Sequence, residues 1–282
     1  MDALRRQPAP TVALDGCNIV RPDGFDGGVE LAFAQPGITR AFPLHVSTGL
    51  GVCLKLGAAH AVTSNGRRQT YPADALCVRA PGCVWSCEAA PVGFFSIDIA
   101  PRLLPSDLAP HDMRFLSAAR GLDLRLLSAR LCAADALLRE QSLVELVLTL
   151  VEHGGVNGAR STTDLAPVAR ARERLRADLG NTLSLDQLAR EVGVNKFVLI
   201  RRFRAETGTT PHRYRTLVRV ERAREQLARG TPLIEVAHAL GFADQAHFSR
   251  TFKRVMGLGP RRYLSTIRRQ HAGVGAAKFW GG

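Results

Sequence analysis

The sequence has no uninterrupted apolar run of the roughly 18 to 20 residues that a membrane-spanning helix needs. Arg5 and Arg6 are not followed by an apolar stretch, so no secretory signal is expected. No set of a nucleophile, a base and an orienting residue is evident, and only His45 and His60 fall among the strand-like segments, too few for a metal centre. These absences predict a cytoplasmic protein that is not an enzyme, holds no metal or cofactor and does not associate with a membrane.

The six cysteines form no tight Cys-x-x-Cys pair, and in the cytoplasm they are expected to be reduced thiols. Cys77, Cys83 and Cys87 cluster around one expected hairpin, and such a cluster could sense oxidants or soft metal ions. Free cysteines are also among the most commonly buried small apolar residues, so both interpretations stay open.

Acidic residues are scarce in one part of the chain only. The 282 residues carry a formal net charge of +13. Residues 1–166 contain 15 Lys and Arg against 16 Asp and Glu, whereas residues 167–282 contain 23 against 9. This asymmetry favours a polyanionic partner, either nucleic acid or an anionic membrane surface, for the C-terminal part. A membrane-surface protein would need a basic helix with a broad apolar face, and an architectural DNA-binding protein would be basic throughout.

Residues 11 to about 100 are predicted to form a β domain. Short apolar stretches at 50–56, 75–78 and 93–99 are separated by turn signals such as Pro81-Gly82. Many short strands at regular spacing indicate a sandwich or a barrel, and Asn65-Gly66 predicts a tight hairpin. Residues 122–151 repeat apolar residues at helical spacing and are expected to form one or two helices packed on this domain. Examples of the repeat are Leu127, Leu131, Leu138, Val144, Leu148 and Val151.

A Gly-rich polar stretch follows these helices and divides the chain. We predict an α+β protein with an N-terminal β-barrel and packed helices over residues 1–153 and a linker over 154–166. Residues 167–270 are predicted to form an all-α domain, and residues 271–282 a flexible tail.

The basic C-terminal part contains an internal repeat. Each copy predicts a helix, a tight turn with a glycine in the left-handed conformation, and a second helix. Ser184 and Thr231 stand at the N-cap of the first helix of each copy, and Asn195 and Asp244 at that of the second. The matching residues are Ala189, Gly193, Phe203, Gly208, Pro211 and Tyr214 in the first copy and Ala237, Gly241, Phe252, Gly257, Pro260 and Tyr263 in the second.

The second helix of each copy has two unlike stripes. Leu199 with Phe203, and Phe248 with Phe252, lie four residues apart and are expected to be buried. The opposite stripe suits the major groove of DNA, which admits one α-helix. The candidate base contacts are Phe197, Ile200 and Arg201, and Gln245, Ala246, His247 and Arg250. Packing is the alternative for Phe197 and Ile200, and a solvated face or a phosphate contact for Arg201 and Arg250.

Other basic residues are expected to contact phosphates, which position a protein on DNA without specifying sequence. These are Lys196, Arg202, Arg213, Arg222, Lys253, Arg254, Arg261 and Arg262. A helix over residues 211–229 would be roughly 28 Å long at about 1.5 Å per residue. It could hold the two second helices about one DNA turn, roughly 34 Å, apart.

The repeat resembles the DNA-binding domain of the AraC/XylS family of bacterial transcription regulators. The resemblance covers about Val168 to Tyr263 and is most specific from Gly241 to Lys253, followed by Gly257 and Pro260. It implies seven helices with two helix-turn-helix units, the same groove-facing positions, and promoter DNA and RNA polymerase as partners of an activator. Ala246 departs from the small hydroxyl residue frequent there. The sequence gives no physical basis for preferring activation over repression.

The N-terminal half is similar, through fewer residues, to the cupin-type sensor barrel of this family. The likeness rests on Gly66-Arg67-Arg68, Tyr71 to Leu76 and Pro81-Gly82, with departures at Ala73 and Trp85. It implies a small effector bound inside the barrel and a homodimer formed through the adjoining helices. The candidate effector-binding residues are His60, Tyr71, Arg79, Trp85 and Phe95. Core packing is the alternative for the aromatic residues, and an inward Arg79 would favour an anionic effector.

Overall fold

The computed structural model describes residues 17–271, except for 23, 36, 38, 74, 92, 105–107, 111–112, 118–122, 134, 153–155, 159–166 and 182. The strands are β1 (Asn18–Val20), β2 (Val29–Ala34), β3 (Thr39–Val46), β4 (Leu50–Leu56), β5 (His60–Ser64), β6 (Arg67–Tyr71), β7 (Ala75–Arg79), β8 (Val84–Pro91), β9 (Gly93–Ile99), β10 (Leu108–Pro110), β11 (Met113–Ser117) and β12 (Val156–Gly158). The helices are α1 (Leu124–Leu131), α2 (Ala136–Glu152), α3 (Pro167–Ala177), α4 (Leu185–Glu191), α5 (Lys196–Thr207), α6 (Pro211–Ala228), α7 (Leu233–Ala239), α8 (Gln245–Met256) and α9 (Pro260–His271). The α+β class is thereby confirmed.

Two antiparallel sheets build the N-terminal part, where a barrel was predicted. One has the strand order β1-β2-β9-β4-β7-β11 and the other the order β3-β8-β5-β6, and buried side chains of both share a core. The predicted hairpin is confirmed, because Asn65 and Gly66 join β5 to β6 with φ angles of 47° and 78°. Both positive values are what a type I′ turn requires.

Strand β9 shows that the six-stranded sheet packs against other elements on each of its two faces. Successive strand residues point to opposite faces. Phe95, Ile97 and Ile99 pack in the cluster that contains α1 and α2, whereas Phe94, Ser96 and Asp98 line a cavity on the other side. Both faces of this sheet are therefore covered by other parts of the chain.

Helices α1 and α2 confirm the prediction of one or two helices, and only some of the apolar residues of the repeat in α2 are buried. Leu127 and Leu131 of α1 are buried as expected, and Leu138 is half-buried. On α2 the buried side chains include Leu143, Leu146, Val147 and Leu150, whereas Val144, Leu148 and Val151 are exposed. The apolar residues of α2 surround most of the helix, so spacing alone did not distinguish the face toward the sheet.

The predicted linker and tail fall largely outside the described residues. Three linker residues, Val156–Gly158, form β12 and pair with β10, which the sequence did not predict. Residues 272–282 of the predicted tail are not among those described. None of the helices in the described part of the chain is both long and apolar enough to cross a bilayer.

The seven helices α3–α9 contain two pairs with the same local construction, α4–α5 and α7–α8. Ser184 caps α4 through a capping box with Gln187, and the side chains of Asn195 and Asp244 cap α5 and α8, as predicted. The prediction for Thr231 was wrong. Helix α7 has Pro232 at its N-cap, and no side chain caps this helix, because proline has no side-chain acceptor.

Gly193 and Gly241 end the first helix of each pair with φ angles of +72° and +68°. A side chain in this left-handed region is strained whatever the space around it. A Cβ at Gly193 would meet nothing within 4 Å, whereas one at Gly241 would lie 2.5 Å from the carbonyl oxygen of Gly180. The two turns thus share a conformation but differ in how tightly the chain packs around them.

Gly193→Ala is therefore expected to reduce the free energy of unfolding by about 1 kcal/mol, from backbone strain alone. Gly241→Ala should cost at least about twice as much, because the Gly180 carbonyl must also move. Urea denaturation of the full-length variants measures both. Equal losses would contradict the close approach at Gly241.

Candidate nucleic-acid interface and internal cavity

Helices α5 and α8 each bury one stripe and expose the opposite one. Leu199 and Phe203 of α5, and Phe248 and Phe252 of α8, are fully buried. On the outer side of α5, Phe197 is 71% exposed, which is unusual for a large apolar residue. Phe197, Ile200, Arg201, Arg204 and Ala205 border one shallow surface depression.

The predicted base-contacting residues lie on these outer stripes. On α5, Phe197 and Arg201 are exposed and Ile200 is half-buried. On α8, Ala246, His247 and Arg250 are exposed and Gln245 is half-buried. The backbone N–H of His247 donates to the Asp244 carboxylate at 2.6 Å, so the first turn of α8 is firmly capped.

The predicted phosphate-contacting residues differ from one another in exposure and in ion pairing. Arg202, Arg213, Lys253, Arg254, Arg261 and Arg262 are exposed. Lys196 forms an ion pair with Asp186 at 3.0 Å. Arg222 departs from the set, because it is half-buried on α6 and pairs with Glu225 at 2.8 Å.

A cavity of about 140 Å³ lies between the two sheets and reaches α6. Of the predicted effector-binding residues, Tyr71, Arg79 and Trp85 line it. The sequence did not single out several further lining residues, among them Arg21, Glu30, Phe42, His45, Lys55, Phe94, Asp98, Glu221 and Arg224.

His60 and Phe95 do not line the cavity. The His60 ring contacts Lys55, and its Nε2 lies 2.6 Å from the Lys55 Nζ. Phe95 points to the opposite face of β9, where its ring centre lies 4.5 Å from that of Phe33. The adjacent Phe94 lines the cavity instead, because neighbouring residues of a strand point to opposite faces of the sheet. The polar residues Ser96 and Asp98, which share the parity of Phe94, were the signal that could have identified it.

Arg79 is held by charge and by an aromatic ring. Its guanidinium lies 3.6 Å from the Asp98 carboxylate and 4.5 Å above the Trp85 ring. Burial alone would lower the pKa of Arg79, but the Asp98 charge raises it above its ordinary value. Arg79 is therefore a permanent buried cation with an internal counterion.

A buried ion network joins the sheets to α6 at the other end of the cavity. Glu30 of β2 accepts from Arg21 and, at 2.6 Å, from Arg224 of α6. Arg224 also donates to Glu221 at 2.6 Å. Burial would raise the pKa of Glu30, but Arg224 and Arg21 lower it to about 2. Glu30 is thus ionised at neutral pH although it is buried.

Apolar side chains also pack at the junction between the sheets and helices α3–α9, and the backbones approach closely there. Ile19, Val46 and Val84 belong to the same core cluster as the buried residues of α3–α9. The Tyr214 hydroxyl donates to the Gly82 carbonyl at 3.3 Å, and Thr48 donates to Glu225 at 3.0 Å. At the tip of the β5–β6 hairpin, a Cβ on Gly66 would lie 2.8 Å from the Cα of Gly208, the residue that ends α5.

All six cysteines are free thiols; Cys132 is half-buried and the other five, including Cys77, Cys83 and Cys87, are buried. Cys53 and Cys77 face each other across β4 and β7 and line the cavity. Burial raises the pKa of both thiols, so they are protonated at neutral pH. This favours the packing interpretation for these two over a redox role, since the thiolate is the reactive form. Within the described ranges, no three metal-binding side chains come together.

Comparison with known proteins identifies the class of the helical part. Residues 188–266 match a family model described as a helix-turn-helix domain. The chain is 35% identical over 97 residues to a Streptomyces antibioticus protein named as an AraC-like transcription regulator, which is 34% of this chain and 32% of that one. It is 33% identical over 101 residues to the MmsAB operon regulatory protein of Pseudomonas aeruginosa, 36% of this chain and 33% of that one.

The helical part therefore matches a helix-turn-helix domain and is similar in sequence to proteins named as AraC-like or operon regulators. These matches span about a third of the length of the curated relatives. Over the longer range, the fold is that of ToxT from Vibrio cholerae. The apo ToxT structure matches with a TM-score of 0.60 at 13% identity, over 85% of this chain and 97% of that one. A structure of unsaturated fatty acid bound wild-type ToxT matches with a TM-score of 0.57 at 13% identity.

The ion network makes stability depend on pH in a defined direction. Because the folded pKa of Glu30 is about 2 and its ordinary value is 4.5, the network stabilises the fold above pH 4.5 and loses this effect as the pH falls toward 2. Glu30→Gln should lower the free energy of unfolding by about 3 kcal/mol at pH 7, and by progressively less below pH 4.5. Urea denaturation at pH 7 and pH 3 measures the change.

Glu88→Gln is the matched control, because Glu88 pairs with Arg68 on the surface of the other sheet. That exposed pair should contribute less than about 1 kcal/mol. If Glu30→Gln has the same effect at both pH values, the network does not hold Glu30 ionised.

Proposed function

We propose that the chain is a sequence-specific transcription regulator that binds promoter DNA in the cytoplasm through two helix-turn-helix units. The observation that carries this proposal is the pair of α5 and α8, each with a fully buried stripe and an exposed stripe rich in Arg, Lys and polar residues. A helix with such an outer face suits the major groove. The net charge of residues 167–282 and the relatives named as regulators support the same conclusion.

The two helices divide recognition between them. Phe197, Ile200 and Arg201 on α5 offer apolar contacts to thymine methyl groups and an Arg contact to guanine. On α8, Gln245 suits adenine and Arg250 suits guanine, beside Ala246 and His247. Lys196, Arg202, Arg213, Lys253, Arg254 and Arg261 would contact phosphates. Arg222 is left out of this set, because its ion pair with Glu225 occupies it at the junction with the sheets.

We place a small effector in the cavity between the sheets. Tyr71, Arg79 and Trp85 would contact it, and the cavity reaches Glu221 and Arg224 of α6, the helix between the two helix-turn-helix units. An effector there would change the energy of particular positions of α6 and so bias how α5 and α8 meet DNA. The likeness to ToxT, one structure of which holds an unsaturated fatty acid, supports a small-molecule effector. Activation through RNA polymerase follows from the resemblance to the family.

Helix α2 supplies the surface for a homodimer. Leu137, Val144, Leu148 and Val151 are 72%, 56%, 56% and 44% exposed. Their spacing of seven, four and three residues puts them on one side of the helix, as in a helix-helix seam. A second copy of α2 would cover this stripe by an isologous contact.

Binding of genomic DNA fragments by the purified full-length chain tests the function. We expect the retained fragments to share a motif of two half-elements whose centres lie about one helical turn, roughly 10 base pairs, apart. Affinity for that motif should fall steeply with salt, because phosphate contacts release counterions. Retention without a common motif would overturn sequence-specific binding.

Arg250→Ala and Lys253→Ala form a matched pair on α8, since both side chains are exposed and cationic. Arg250→Ala should weaken binding to the selected motif by about 1 to 3 kcal/mol and relax preference at one base pair. Lys253→Ala should weaken selected and unrelated DNA alike and reduce the salt dependence. A selection repeated with each variant separates the two roles, and an unchanged motif for Arg250→Ala would contradict base contact.

Replacing Val144 and Leu148 together with Asn should convert a dimer to a monomer at micromolar concentration, because the seam would lose its apolar contacts. Sedimentation equilibrium of the full-length chain measures the mass. Ile234→Asn, which replaces a 65% exposed apolar residue on α7, away from α2, is the control and should leave the mass unchanged. A wild-type chain that is already monomeric would exclude the α2 seam.

A further inference from the structure

Lys55 of β4 is a buried cation in the wall of the cavity, with 5% of its surface exposed. Its Nζ donates to the Cys87 Sγ at 2.9 Å and lies 2.6 Å from the His60 Nε2. The His60 Nδ1 lies 3.2 Å from the Ala58 carbonyl, so the ring donates there and accepts at Nε2. Partial burial, and then the Lys55 charge, lower the pKa of His60, which keeps this ring neutral.

The Lys55 charge has no carboxylate partner among the described residues. The other buried cations of the cavity do have one: Arg79 pairs with Asp98, Arg21 with Glu30, and Arg224 with Glu30 and Glu221. An ammonium group has three donors, and two of those of Lys55 are directed at uncharged protein groups. A buried charge without a counterion is costly, so an anion that enters the cavity would be favoured at this point.

The side chains around Lys55 indicate the size and polarity of a ligand that would fit beside it. The Phe42 and Tyr71 ring centres lie 5.5 Å and 4.9 Å from its Nζ, and Phe94 and Trp85 rings lie 5.5 Å from that of Phe42. At this end of the cavity, aromatic rings therefore surround the Lys55 ammonium group. The cavity volume is about 140 Å³. An apolar cavity of about 150 Å³ in another protein holds one benzene molecule.

We propose that the cavity binds a small organic carboxylate, with an apolar body about the size of a benzene ring, and that Lys55 is its counterion. The carboxylate accepts from the Lys55 ammonium, and the body packs among Phe42, Tyr71, Trp85 and Phe94. This inference rests on the proposed effector site and specifies its ligand. A cavity of about 140 Å³ favours a ligand of this size over a long-chain fatty acid.

Calorimetric titration of the full-length wild-type chain tests the ligand class without any mutation. Benzoate is the probe, benzamide is its neutral counterpart of equal size, and oleate is the long-chain acid. Benzoate should bind about 10- to 100-fold more tightly than benzamide, the range expected for a charged hydrogen bond. Equal affinity for benzoate and benzamide, no binding of benzoate, or tighter binding of oleate would each overturn the proposal.

Lys55→Met then tests the counterion itself, since it removes the charge and retains an unbranched apolar side chain. The variant should lose the preference for benzoate over benzamide, whereas Arg68→Met, which removes an exposed cation from β6 of the other sheet, should keep it. Near-ultraviolet circular dichroism checks that both variants are folded. A folded Lys55→Met variant that retains the preference would show that another group holds the carboxylate.

A DNA-binding measurement in the same samples separates this inference from the proposed function. Wild-type protein that binds its selected DNA but not benzoate would refute the ligand class and leave the regulator standing. Protein that binds benzoate but retains no specific DNA would refute the regulator and leave the ligand site standing.

Discussion

The Glu30 carboxylate, held between the guanidinium groups of Arg21 and Arg224, is the interaction on which the arrangement of the molecule depends. It joins β2 to α6, and it is buried, so water cannot replace a missing partner. Removal of one member of such a network leaves an uncompensated charge, which is far more costly than the absence of the whole network. The network therefore fixes α6 against the six-stranded sheet more strictly than apolar packing alone would.

Helix α6 is where the two parts of the protein meet. One side carries Glu221 and Arg224, which line the cavity between the sheets, while its ends connect the helix pairs α4–α5 and α7–α8. The hairpin tip at Gly66 meets the end of α5 at Gly208. The cavity and helices α5 and α8 are thus connected through packed elements of the chain. A ligand acts through such a connection only by favouring one position of α6 over another.

The cavity is unusual in the distribution of its charges. Arg21, Arg79 and Arg224 are all matched by carboxylates of the chain, and these ion pairs lie toward α6. Lys55, at the aromatic end, is stabilised by a neutral imidazole, a thiol and two rings. Because the other cations that line the cavity have carboxylate partners and Lys55 has only neutral ones, the proposed ligand would supply the missing negative charge.

The sequence by itself determined the helix pairs, because their signals are local: a capping side chain, a glycine with positive φ and apolar residues four apart each act within one or two turns. It also determined the Asn65-Gly66 hairpin and the strand at 93–99 for the same reason. Only the tertiary structure decided which face of a strand or helix is inside. Lys55 and Phe94 were missed, and Phe95 was misassigned, because both faces of the six-stranded sheet are covered. The alternation of side chains along a strand separates the two faces of a sheet. It cannot show that both faces are buried, because the elements that cover the second face lie far away along the chain.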